Sequence, residues 1–289
     1  MNYNDITVGI VTFKSEKVLF QCLKSIKKIK KVIIFDNSND ISLKKKVAKI
    51  YPKFKFILSK KNLGYGKANN KIIKFCKSKY LFILNPDTIL KKNCEFELLK
   101  SINIKKHNFS IIAPIANEKN YGFFYQNRNT NGKDFFEVDY VKGFAMLIDK
   151  KKIEKVGLFD KNIFLYLEEI DLCKRLLSIN HKIYVNNFAK IIHLGARSTN
   201  LGFEFEKCRS WHWMWSNFYY AKKHNGYIYA ILKTLPNFFS SFFKFLYYKI
   251  IKSEKKKYIY KMRFLGLVNS YLLNKSFYRP LKWNSKNEK

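Results

Sequence analysis

The first half of the chain alternates short, uninterrupted apolar runs with segments in which apolar residues recur at helical spacing. The runs are typical of buried β-strands, and we predict strands over residues 6–12, 31–35, 54–58 and 80–84. The segments between them predict helices that begin near Ser15, Ser42 and Lys67. Strands and helices in this order form βαβ units, so the expected fold class is α/β with a mostly parallel central sheet.

From about residue 109 to residue 193, the apolar and polar residues follow a less regular pattern. Strands are predicted over residues 109–113, 138–148 (interrupted by Gly143), 182–185 and 190–193. Helices are predicted over residues 150–156 and 168–178, and the polar residues 117–135 predict a loop. We therefore expect one domain over residues 1–205.

The composition changes from Trp211 onward, where aromatic and aliphatic residues dominate. Residues 227–251 form a long apolar run that is interrupted by Lys233, Pro236, Lys244 and Lys249. A spanning helix needs about 20 predominantly apolar residues, which makes spanning doubtful here. Apolar, aromatic and Lys residues together favour helices that lie in a membrane interface. A helical subdomain packed on the core is the alternative. We assign residues 206–289 to a helical, aromatic and basic extension that could associate with a membrane.

The strand predicted over residues 80–84 ends at Asn85-Pro86-Asp87. Pro86 cannot donate a ladder hydrogen bond, so Asp87 is expected just beyond the carboxyl end of a buried strand. Ligands bind at that edge of open α/β sheets, and a carboxylate there can hold a divalent cation against phosphate oxygens. On this stretch alone, a loop aspartate that caps the next helix explains the pattern equally well.

Three further polar clusters follow predicted strands. They are Thr12-Phe13, Asp36-Asn37-Ser38, and the loop of residues 62–70 with Asn62, Gly64, Asn69 and Asn70. In a parallel sheet all of these lie on the same rim as Asp87. Small residues let a ligand approach the backbone, and Asp and Asn side chains can bind a nucleobase and a ribose. Turns are rich in these residues in any case, so each cluster alone is a weak signal. The prediction of a ligand site depends on four such clusters lying on the same rim.

Two other groups could carry chemistry. Glu168, Glu169 and Asp171 open a predicted helix, where acids also complement the helix dipole. Adjacent acids can instead divide the work, one positioning a hydroxyl and the other removing its proton. His193 ends a predicted strand, where a histidine is usually structural but can be a metal ligand.

The charge is strongly basic, with a net charge of +36 from 57 Lys and Arg against 21 Asp and Glu. Such a charge suggests an anionic partner. Only six of the basic residues are Arg, the residue that nucleic-acid readers use for bidentate contacts. The composition therefore favours a solvated Lys-rich surface over a dedicated nucleic-acid site. Five scattered Cys without a CxxC pair fit a reducing compartment, and a polar N-terminus without a visible signal peptide predicts a cytoplasmic protein.

The order and spacing of these motifs resemble the family 2 glycosyltransferases, most closely the branch that includes bacterial rhamnosyltransferases. The resemblance covers residues 5–200 and rests on the four strand-end clusters, Gly143-Phe144, Glu168 to Arg175, and His193. It implies a GT-A fold, a Rossmann-like α/β arrangement. It also implies a dTDP- or UDP-linked sugar donor, a divalent metal (Mn²⁺ or Mg²⁺) and inversion at the anomeric carbon. The acceptor implied is a glycan or lipid-linked precursor of cell-surface polysaccharide, at the cytoplasmic face of a membrane.

The resemblance also implies a role for each candidate residue. The nucleotide-sugar would be bound by Thr12, Phe13, Asp36, Asn37, Asn62, Gly64, Asn69, Asn70, Asn85 and Asp87. Asp87 and His193 would bind the metal, and Gly143 and Phe144 would line the acceptor or donor-sugar pocket. Glu169 stands at the position of the catalytic base, and Glu168 stands where a contact to the sugar or acceptor is expected. Asp171 completes the predicted catalytic group.

The chain departs from the family pattern at two positions. Asn85 stands where many members have Asp, which weakens the expected metal site. Glu169 stands where Asp is commoner, and its extra methylene moves the carboxylate by roughly one ångström or more. Two other functions remain open at this point. A non-catalytic basic protein could bind nucleic acid or anionic membrane. A sugar nucleotidyltransferase is disfavoured because Thr12-Phe13-Lys14 stands where a Gly-rich phosphate loop would be needed.

Overall fold

The computed structural model describes residues 2–104, 109–116, 135–195 and 202–279. The chain divides into two compact units. The first contains Met1–Asp160 and Glu169–Thr199, and the second contains Lys161–Glu168 and Asn200–Lys289.

The first unit is built from strands and helices that mostly alternate. Its strands are β1 (Ile6–Thr12), β2 (Lys31–Asp36), β3 (Lys55–Leu58), β4 (Tyr80–Leu84), β5 (Thr88–Leu90), β6 (Phe109–Ala116), β7 (Phe135–Glu137), β8 (Ala145–Asp149) and β9 (Lys182–His193). Its helices are α1 (Glu16–Ser25), α2 (Ile41–Ile50), α3 (Tyr65–Phe75), α4 (Cys94–Ile104), α5 (Lys150–Lys155) and α6 (Glu168–Leu177), the last of which begins at the boundary with the second unit.

These strands form one mixed sheet in the order β3-β2-β1-β4-β8-β6-β9-β5, with β7 paired to β9. Strands β1 to β4 are parallel, β8 lies antiparallel between β4 and β6, and β9 is parallel to β6. Six of the nine strands therefore run in one direction, which confirms the prediction of a mostly parallel sheet. The carboxyl ends of β1, β2 and β4 share one rim, where the predicted clusters lie.

The core occupies both faces of the sheet, and β4 contributes to each. Tyr80, Phe82 and Leu84 join the cluster that includes residues of α1, α2 and α4. Leu81 and Ile83 join the cluster that includes residues of α3 and α6. All five side chains are at most 1% exposed. The prediction of a strand buried on both faces is confirmed, and Asp87 follows it as expected.

The strand predicted over residues 138–148 is wrong as a single element. β7 ends at Glu137, and β8 begins only at Ala145. The pairing with β9 continues to Val138, whose N–H donates to the Ile183 carbonyl (2.9 Å), and the pairing with β4 begins at Phe144. Between these two points the Gly143 carbonyl bonds a side chain instead of a strand. The Tyr65 hydroxyl donates to the Gly143 carbonyl, and the Asn85 N–H donates to the Phe144 carbonyl (2.8 Å).

Other boundaries also differ. The two strands predicted over residues 182–193 are one strand, β9. It carries an irregularity at Asn186, whose side-chain oxygen accepts from the N–H groups of Phe188 and Ala189. Helix α4 and the short strand β5 were not predicted. The predicted loop over residues 117–135 lies outside the described residues except for Phe135, which begins β7.

The second unit contains three long helices, α7 (Gly202–Asn225), α8 (Tyr227–Ile250) and α9 (Glu254–Tyr271). Its core includes Met214, Phe218 and Leu267. Helices α7 and α9 approach closely at Gly266, where an added Cβ would lie 2.4 Å from the Trp211 carbonyl oxygen. The predicted C-terminal helical region is confirmed. Within the described part of the chain, no helix is long and apolar enough to cross a membrane.

Helix α8 leaves much of its apolar surface uncovered within this unit. The exposed side chains include Ile228, Leu232, Phe239, Phe243, Leu246 and Ile250. At about 100° per residue, these six positions fall within an arc of about 60°. We call this stripe the α8 apolar face.

Candidate active site

The ends of β1 and β2 are joined through the Asp36 carboxylate. Thr12 Oγ1 and Ser38 Oγ donate to Asp36 Oδ1 (2.9 and 2.7 Å), and the Asp40 N–H donates to Oδ2 (2.8 Å). Asp36 and Thr12 are completely buried. The structure thus brings these two predicted residues together, with both carboxylate oxygens already bound to the rim. Phe13 follows as a half-buried residue whose N–H donates to Ser15 Oγ (3.3 Å).

Asn37 and Asn62 shape the turn that leads into α3. Asn37 Oδ1 accepts from the Leu63 N–H (3.0 Å), and its Nδ2 donates to the Gly64 carbonyl (3.4 Å). Asn62 Oδ1 accepts from the Gly64 N–H (2.9 Å). Gly64 has φ of +79°, a region that favours glycine. These residues hold the backbone at the start of α3 against the end of β2.

Asn69 and Asn70, which are adjacent on α3, differ in what their amides contact. Asn70 Nδ2 donates to the Phe159 carbonyl (2.8 Å), and Asn70 Oδ1 accepts from the Phe159 N–H (3.0 Å). Asn69 Nδ2 donates to the Tyr65 carbonyl (3.2 Å), whereas its buried Oδ1 has no hydrogen-bond partner among the described residues. Buried polar atoms are normally paired, so Asn69 Oδ1 is an acceptor suited to a ligand. The Asn70 amide is already used.

Asp87, His193 and Phe144 form a second corner of the rim. Asp87 is 3% exposed, and its Oδ1 has no hydrogen-bond partner among the described residues. His193 Nε2 lies 3.5 Å from that oxygen, and the Phe144 ring stacks on the imidazole with centroids 4.5 Å apart. Strand pairing of Thr88 with His193, and the Leu194 N–H donating to the Asp87 carbonyl (2.9 Å), hold the corner together.

The residues of this corner fit a divalent cation. A buried carboxylate oxygen beside an imidazole nitrogen is a donor pair that Mn²⁺ accepts well. Among the described residues, no cluster of three or more His, Cys, Asp or Glu is arranged to hold a metal. Asp87 and His193 could therefore provide two ligands, and the others would come from substrate or water. Asn85, whose N–H donates to Phe144, begins the loop that carries Asp87.

The acids at the start of α6 occupy different environments. Glu169 is 9% exposed, and burial raises the pKa of its carboxyl group, against Lys142 and the N–H groups of Glu169, Ile170 and Gly143, which favour the ionised form. Asp171 is fully buried, and its Oδ2 lies 2.8 Å from Arg175 Nε. Glu168 is 4% exposed. Glu169 is the carboxylate whose pKa moves toward the range of a general base.

Arg175 and Asp171 together form a structural clamp. Arg175 also donates to the carbonyls of Leu158 (2.6 Å) and Val156. The pair therefore ties α6 to the segment that follows α5. Asp171 lies in the cluster predicted from the sequence, but its carboxylate is engaged with a guanidinium.

Gly143 lies between two functional elements. Its carbonyl accepts from the Tyr65 hydroxyl, and its N–H stabilises the ionised Glu169 carboxylate. A Cβ at this position would lie 3.2 Å from the Tyr65 hydroxyl oxygen. Tyr65 and Lys142 are site residues that the sequence reasoning missed. Both stand next to predicted motif residues, but which groups they contact depends on the fold.

The backbone before the acids is in an uncommon conformation. Tyr166 and Leu167 have φ of +72° and +69°. Two successive non-glycine residues in the left-handed region are costly, and such strain clusters at functional sites. The acids thus follow a sharp, sterically demanding turn.

Residues 7–171, more than half of the chain, match the family described as "Glycosyl transferase family 2". This chain belongs to glycosyl transferase family 2. The matched range contains the rim from Thr12 to Asp87, together with the Gly143 region and the three acids.

Several curated relatives in this family are named transferases. Rhamnosyltransferase WbbL of Escherichia coli (strain K12) is 27% identical over 228 residues, covering 67% of this chain and 83% of that protein. Low-salt glycan biosynthesis hexosyltransferase Agl10 of Haloferax volcanii is 26% identical over 210 residues (66% and 67%). dTDP-rhamnosyl transferase RfbF of Shigella flexneri is 24% identical over 186 residues (59% and 62%). The predicted similarity to the rhamnosyltransferase-like branch is confirmed.

Solved structures confirm the fold. Mannosyltransferase PcManGT from Pyrobaculum calidifontis, in complex with GDP-Man and Mn²⁺, superimposes with a TM-score of 0.60 at 9% identity, covering 93% of this chain and 87% of that one. GalNAc-T7 with UDP, GalNAc and Mn²⁺ gives a TM-score of 0.56 at 10% identity (81% and 57%). The expected GT-A fold is confirmed.

The family 2 match and the named relatives make this protein a glycosyltransferase of the hexosyltransferase type. One of these relatives, Agl10, is named for glycan biosynthesis. The alternative of a non-catalytic basic protein is therefore set aside.

Proposed function

We propose that this family 2 enzyme moves a hexosyl group, rhamnose or another hexose, from a nucleoside-diphosphate sugar to a glycan or lipid-linked acceptor, with inversion. The observation that carries the proposal is the Glu169 carboxylate, which burial holds at a raised pKa at the start of α6. An inverting transfer needs one group that removes the acceptor proton, and a carboxylate with a raised pKa is suited to that role.

In the proposed reaction Glu169 takes the proton of an acceptor hydroxyl. The acceptor oxygen forms a bond to the anomeric carbon as the bond from that carbon to the donor phosphate oxygen breaks. The nucleoside diphosphate leaves with the electron pair. Glu168 would orient the hydroxyl, and Lys142 would favour the ionised state in which Glu169 acts as a base. Gly143 and Phe144 would line the sugar pocket.

Asp87 and His193 would hold a divalent cation, Mn²⁺ or Mg²⁺, which when bound would neutralise charge on the leaving diphosphate. Support comes from the unsatisfied Asp87 Oδ1 and its separation of 3.5 Å from His193 Nε2. The structures of PcManGT and GalNAc-T7 described above are complexes with Mn²⁺. Phe144, stacked on the imidazole, would keep His193 in a ligating orientation.

The nucleotide of the donor would lie against the rim. We infer that Asn69 Oδ1, buried and without a hydrogen-bond partner among the described residues, accepts from the nucleotide. Thr12, Phe13, Asp36, Asn37, Asn62, Gly64, Asn70 and Asn85 would shape this surface. A dTDP- or UDP-linked sugar is the expected donor class, and one relative is named a dTDP-rhamnosyl transferase.

The acceptor is proposed to be a lipid-linked precursor reached at the cytoplasmic face of a membrane. Support comes from the α8 apolar face and from Lys233, Lys244 and Lys249 on the same helix. A helix with this pattern can lie in the interface of an anionic bilayer. The cytoplasmic leaflet attracts basic segments by about 1 kcal/mol per residue. Nucleic acid is not part of this proposal.

The test is thermal stabilisation of the full chain across a panel of sugar nucleotides, with and without Mn²⁺. A ligand at a hundredfold excess over its Kd adds about 2.7 kcal/mol of stability. We expect a Mn²⁺-dependent shift with one nucleotide series that is lost in Asp87→Ala. Glu169→Gln should retain the shift but lose sugar transfer, whereas Glu154→Gln, an exposed acid on α5, should retain both. Absence of any nucleotide shift, or transfer at wild-type rate by Glu169→Gln, would refute the proposal.

A further inference from the structure

The second unit contains a groove of about 390 Å³ whose lining includes Arg209 and Arg263. Its volume is within the range of about 300–1,000 Å³ typical of small-molecule sites. Arg209 is on α7 and Arg263 is on α9, so the packing of two helices brings the guanidinium groups to one groove. Nothing in the proposed donor site uses it. We call it the arginine groove.

Arginine is scarce in this chain, with six Arg among 57 basic residues. A solvated positive surface needs no Arg when Lys is so abundant. Arg differs from Lys by its planar fork of donors, which binds phosphate in a bidentate manner. Two other Arg in the described residues are committed to protein groups. Arg175 bonds Asp171 and two carbonyls, and Arg279 donates to the Tyr278 carbonyl (2.6 Å).

The guanidinium groups of the groove are not neutralised. Among the described residues, no carboxylate forms an ion pair with Arg209 or Arg263, and the buried Arg263 Nε has no hydrogen-bond partner. Arg209 Nε donates to the Tyr166 hydroxyl. Glu206 also lines the groove, but its carboxylate is paired with Lys255 (3.1 Å). A buried donor without a partner is costly, and an anion in this groove would compensate the charge of both guanidinium groups.

The lining of the groove is also aromatic, and one of its arginines is close to α8. Trp213, 42% exposed, packs edge-on against Tyr166 with ring centroids 5.4 Å apart. On the α9 side, Arg263 lies over the Tyr260 ring (5.2 Å), and Lys244 of α8 lies 5.4 Å from the same ring. Lys244 follows Phe243 of the α8 apolar face. Lys244 and Arg263 therefore meet at one aromatic ring, which places α8 beside the arginine groove.

The groove is also close in sequence to the proposed base. Tyr166 is three residues before Glu169, and three residues of chain span at most about 11 Å. Tyr166 and Leu167, with φ of +72° and +69°, form the turn that precedes the acids.

We propose that the arginine groove binds the diphosphate of a lipid-linked acceptor, with the lipid chain on the α8 apolar face and Trp213 against the first sugars. This inference rests on the proposed glycosyltransfer and names its acceptor class. The diphosphate is chosen over a single carboxylate because two guanidinium groups offer forks for two phosphoryl groups. Arg209 and Arg263 are thus acceptor-binding residues.

The test is a titration of the full chain with farnesyl diphosphate as the probe, followed by intrinsic Trp fluorescence. Farnesol and inorganic pyrophosphate are titrated in parallel, because they separate the apolar from the anionic contribution. The variants are Arg209→Ala and Arg263→Ala, with Arg209→Lys and Arg263→Lys as charge-retaining versions. Lys261→Ala is the matched control, since it removes a positive charge from an exposed position of the same helix as Arg263.

We expect saturable binding that either alanine variant weakens about tenfold or more, because a charge-assisted hydrogen bond is worth at least that factor. The Lys variants should weaken binding less, and Lys261→Ala should leave it unchanged. Farnesol should be insensitive to every Arg variant. Failure of the wild-type protein to bind, or an equal loss in Lys261→Ala, would overturn the proposal.

Two further outcomes of these titrations would also overturn the proposal. Pyrophosphate binding as tightly as farnesyl diphosphate would make the ligand a soluble diphosphate and overturn the lipid-linked acceptor. Competition by UDP or dTDP would assign the groove to the donor and overturn it as well. The Mn²⁺-dependent nucleotide shift, measured on the same variants, should persist. Its absence from the wild-type protein would refute the glycosyltransfer proposal alone, because farnesyl diphosphate binding is read independently.

Discussion

Replacing Asn70 with alanine should destabilise the first unit, because the Asn70 amide bonds both the N–H and the carbonyl of the buried residue Phe159. Asn70 Nδ2 and Oδ1 bond the carbonyl and N–H of Phe159 at 2.8 and 3.0 Å. Phe159 is completely buried and Asn70 is 6% exposed, so water cannot replace either bond without rearrangement. In Asn70→Ala, one donor and one acceptor would be left buried without a partner.

The magnitude follows from the cost of an unsatisfied buried group, about 1–3 kcal/mol each. Two such groups cost about 2–6 kcal/mol, a large part of a typical stability of about 5–15 kcal/mol. For a unit of this size, 1 kcal/mol corresponds to about 2–4 °C in Tm. The Tm of Asn70→Ala should therefore fall by at least about 4 °C.

The assay is thermal unfolding followed by circular dichroism, with nucleotide binding measured on the same samples at a temperature where the variant is folded. Asn217→Ala is the matched control, since its Nδ2 bonds only the Trp213 carbonyl of its own helix. That control should change stability by no more than about 0.5 kcal/mol. An Asn70→Ala protein with unchanged Tm but lost nucleotide binding would refute the reasoning and make Asn70 a ligand contact.

Three other substitutions test separate parts of the structure. Glu169→Gln should raise stability at neutral pH and not near pH 4. Burial raises the pKa of folded Glu169 above its unfolded value of about 4.3, so the wild-type protein loses stability as pH rises through the folded pKa, by about 1.4 kcal/mol per pKa unit. Denaturant unfolding of both proteins, measured in parallel across pH, would show the difference in stability. Stability curves that coincide at every pH would contradict this prediction. Gly266→Ala should lower stability by about 1–3 kcal/mol, since its Cβ would lie 2.4 Å from the Trp211 carbonyl oxygen, and an unchanged Tm would contradict that close approach. The double variant Leu232→Asp and Phe243→Asp should lose binding to anionic vesicles in a flotation assay, whereas Ile41→Asp, at a position equally exposed in the first unit, should retain it.

The parallel part of the fold could be predicted because β1, β2 and β4 are apolar runs that the sheet buries on both faces. The run at Tyr80 to Leu84 contains no polar residue, and its end at Pro86 is chemically fixed. The reversed strand β8 could not be placed in the same way. Its start depends on hydrogen bonds from Tyr65 and Asn85, which lie far away in sequence.

The candidate site shows the same division. Residues at strand ends could be predicted because parallel strands deliver them to one rim, and Thr12 and Asp36 do meet there. The sequence could not show which of two similar neighbouring residues bonds within the protein and which is available to a ligand or a reaction. Asn69 and Asn70 look alike in sequence, and so do Glu169 and Asp171. Only their partners, a Phe159 peptide in one case and Arg175 in the other, distinguish them.

The position of β8 between β4 and β6 has a consequence for synthesis on the ribosome. β4 pairs with β1 along one edge. Its other edge pairs with β8 (Ala145–Asp149), which leaves the ribosome about 60 residues later. At about 5–20 residues per second, the nascent chain leaves the apolar edge of Tyr80–Leu84 uncovered for about 3–12 s. Such an edge, free of charge and of proline, can pair with another chain. A polypeptide that terminates before residue 145 should therefore aggregate. A pause in translation between β4 and β8 would lengthen this exposure of the β4 edge.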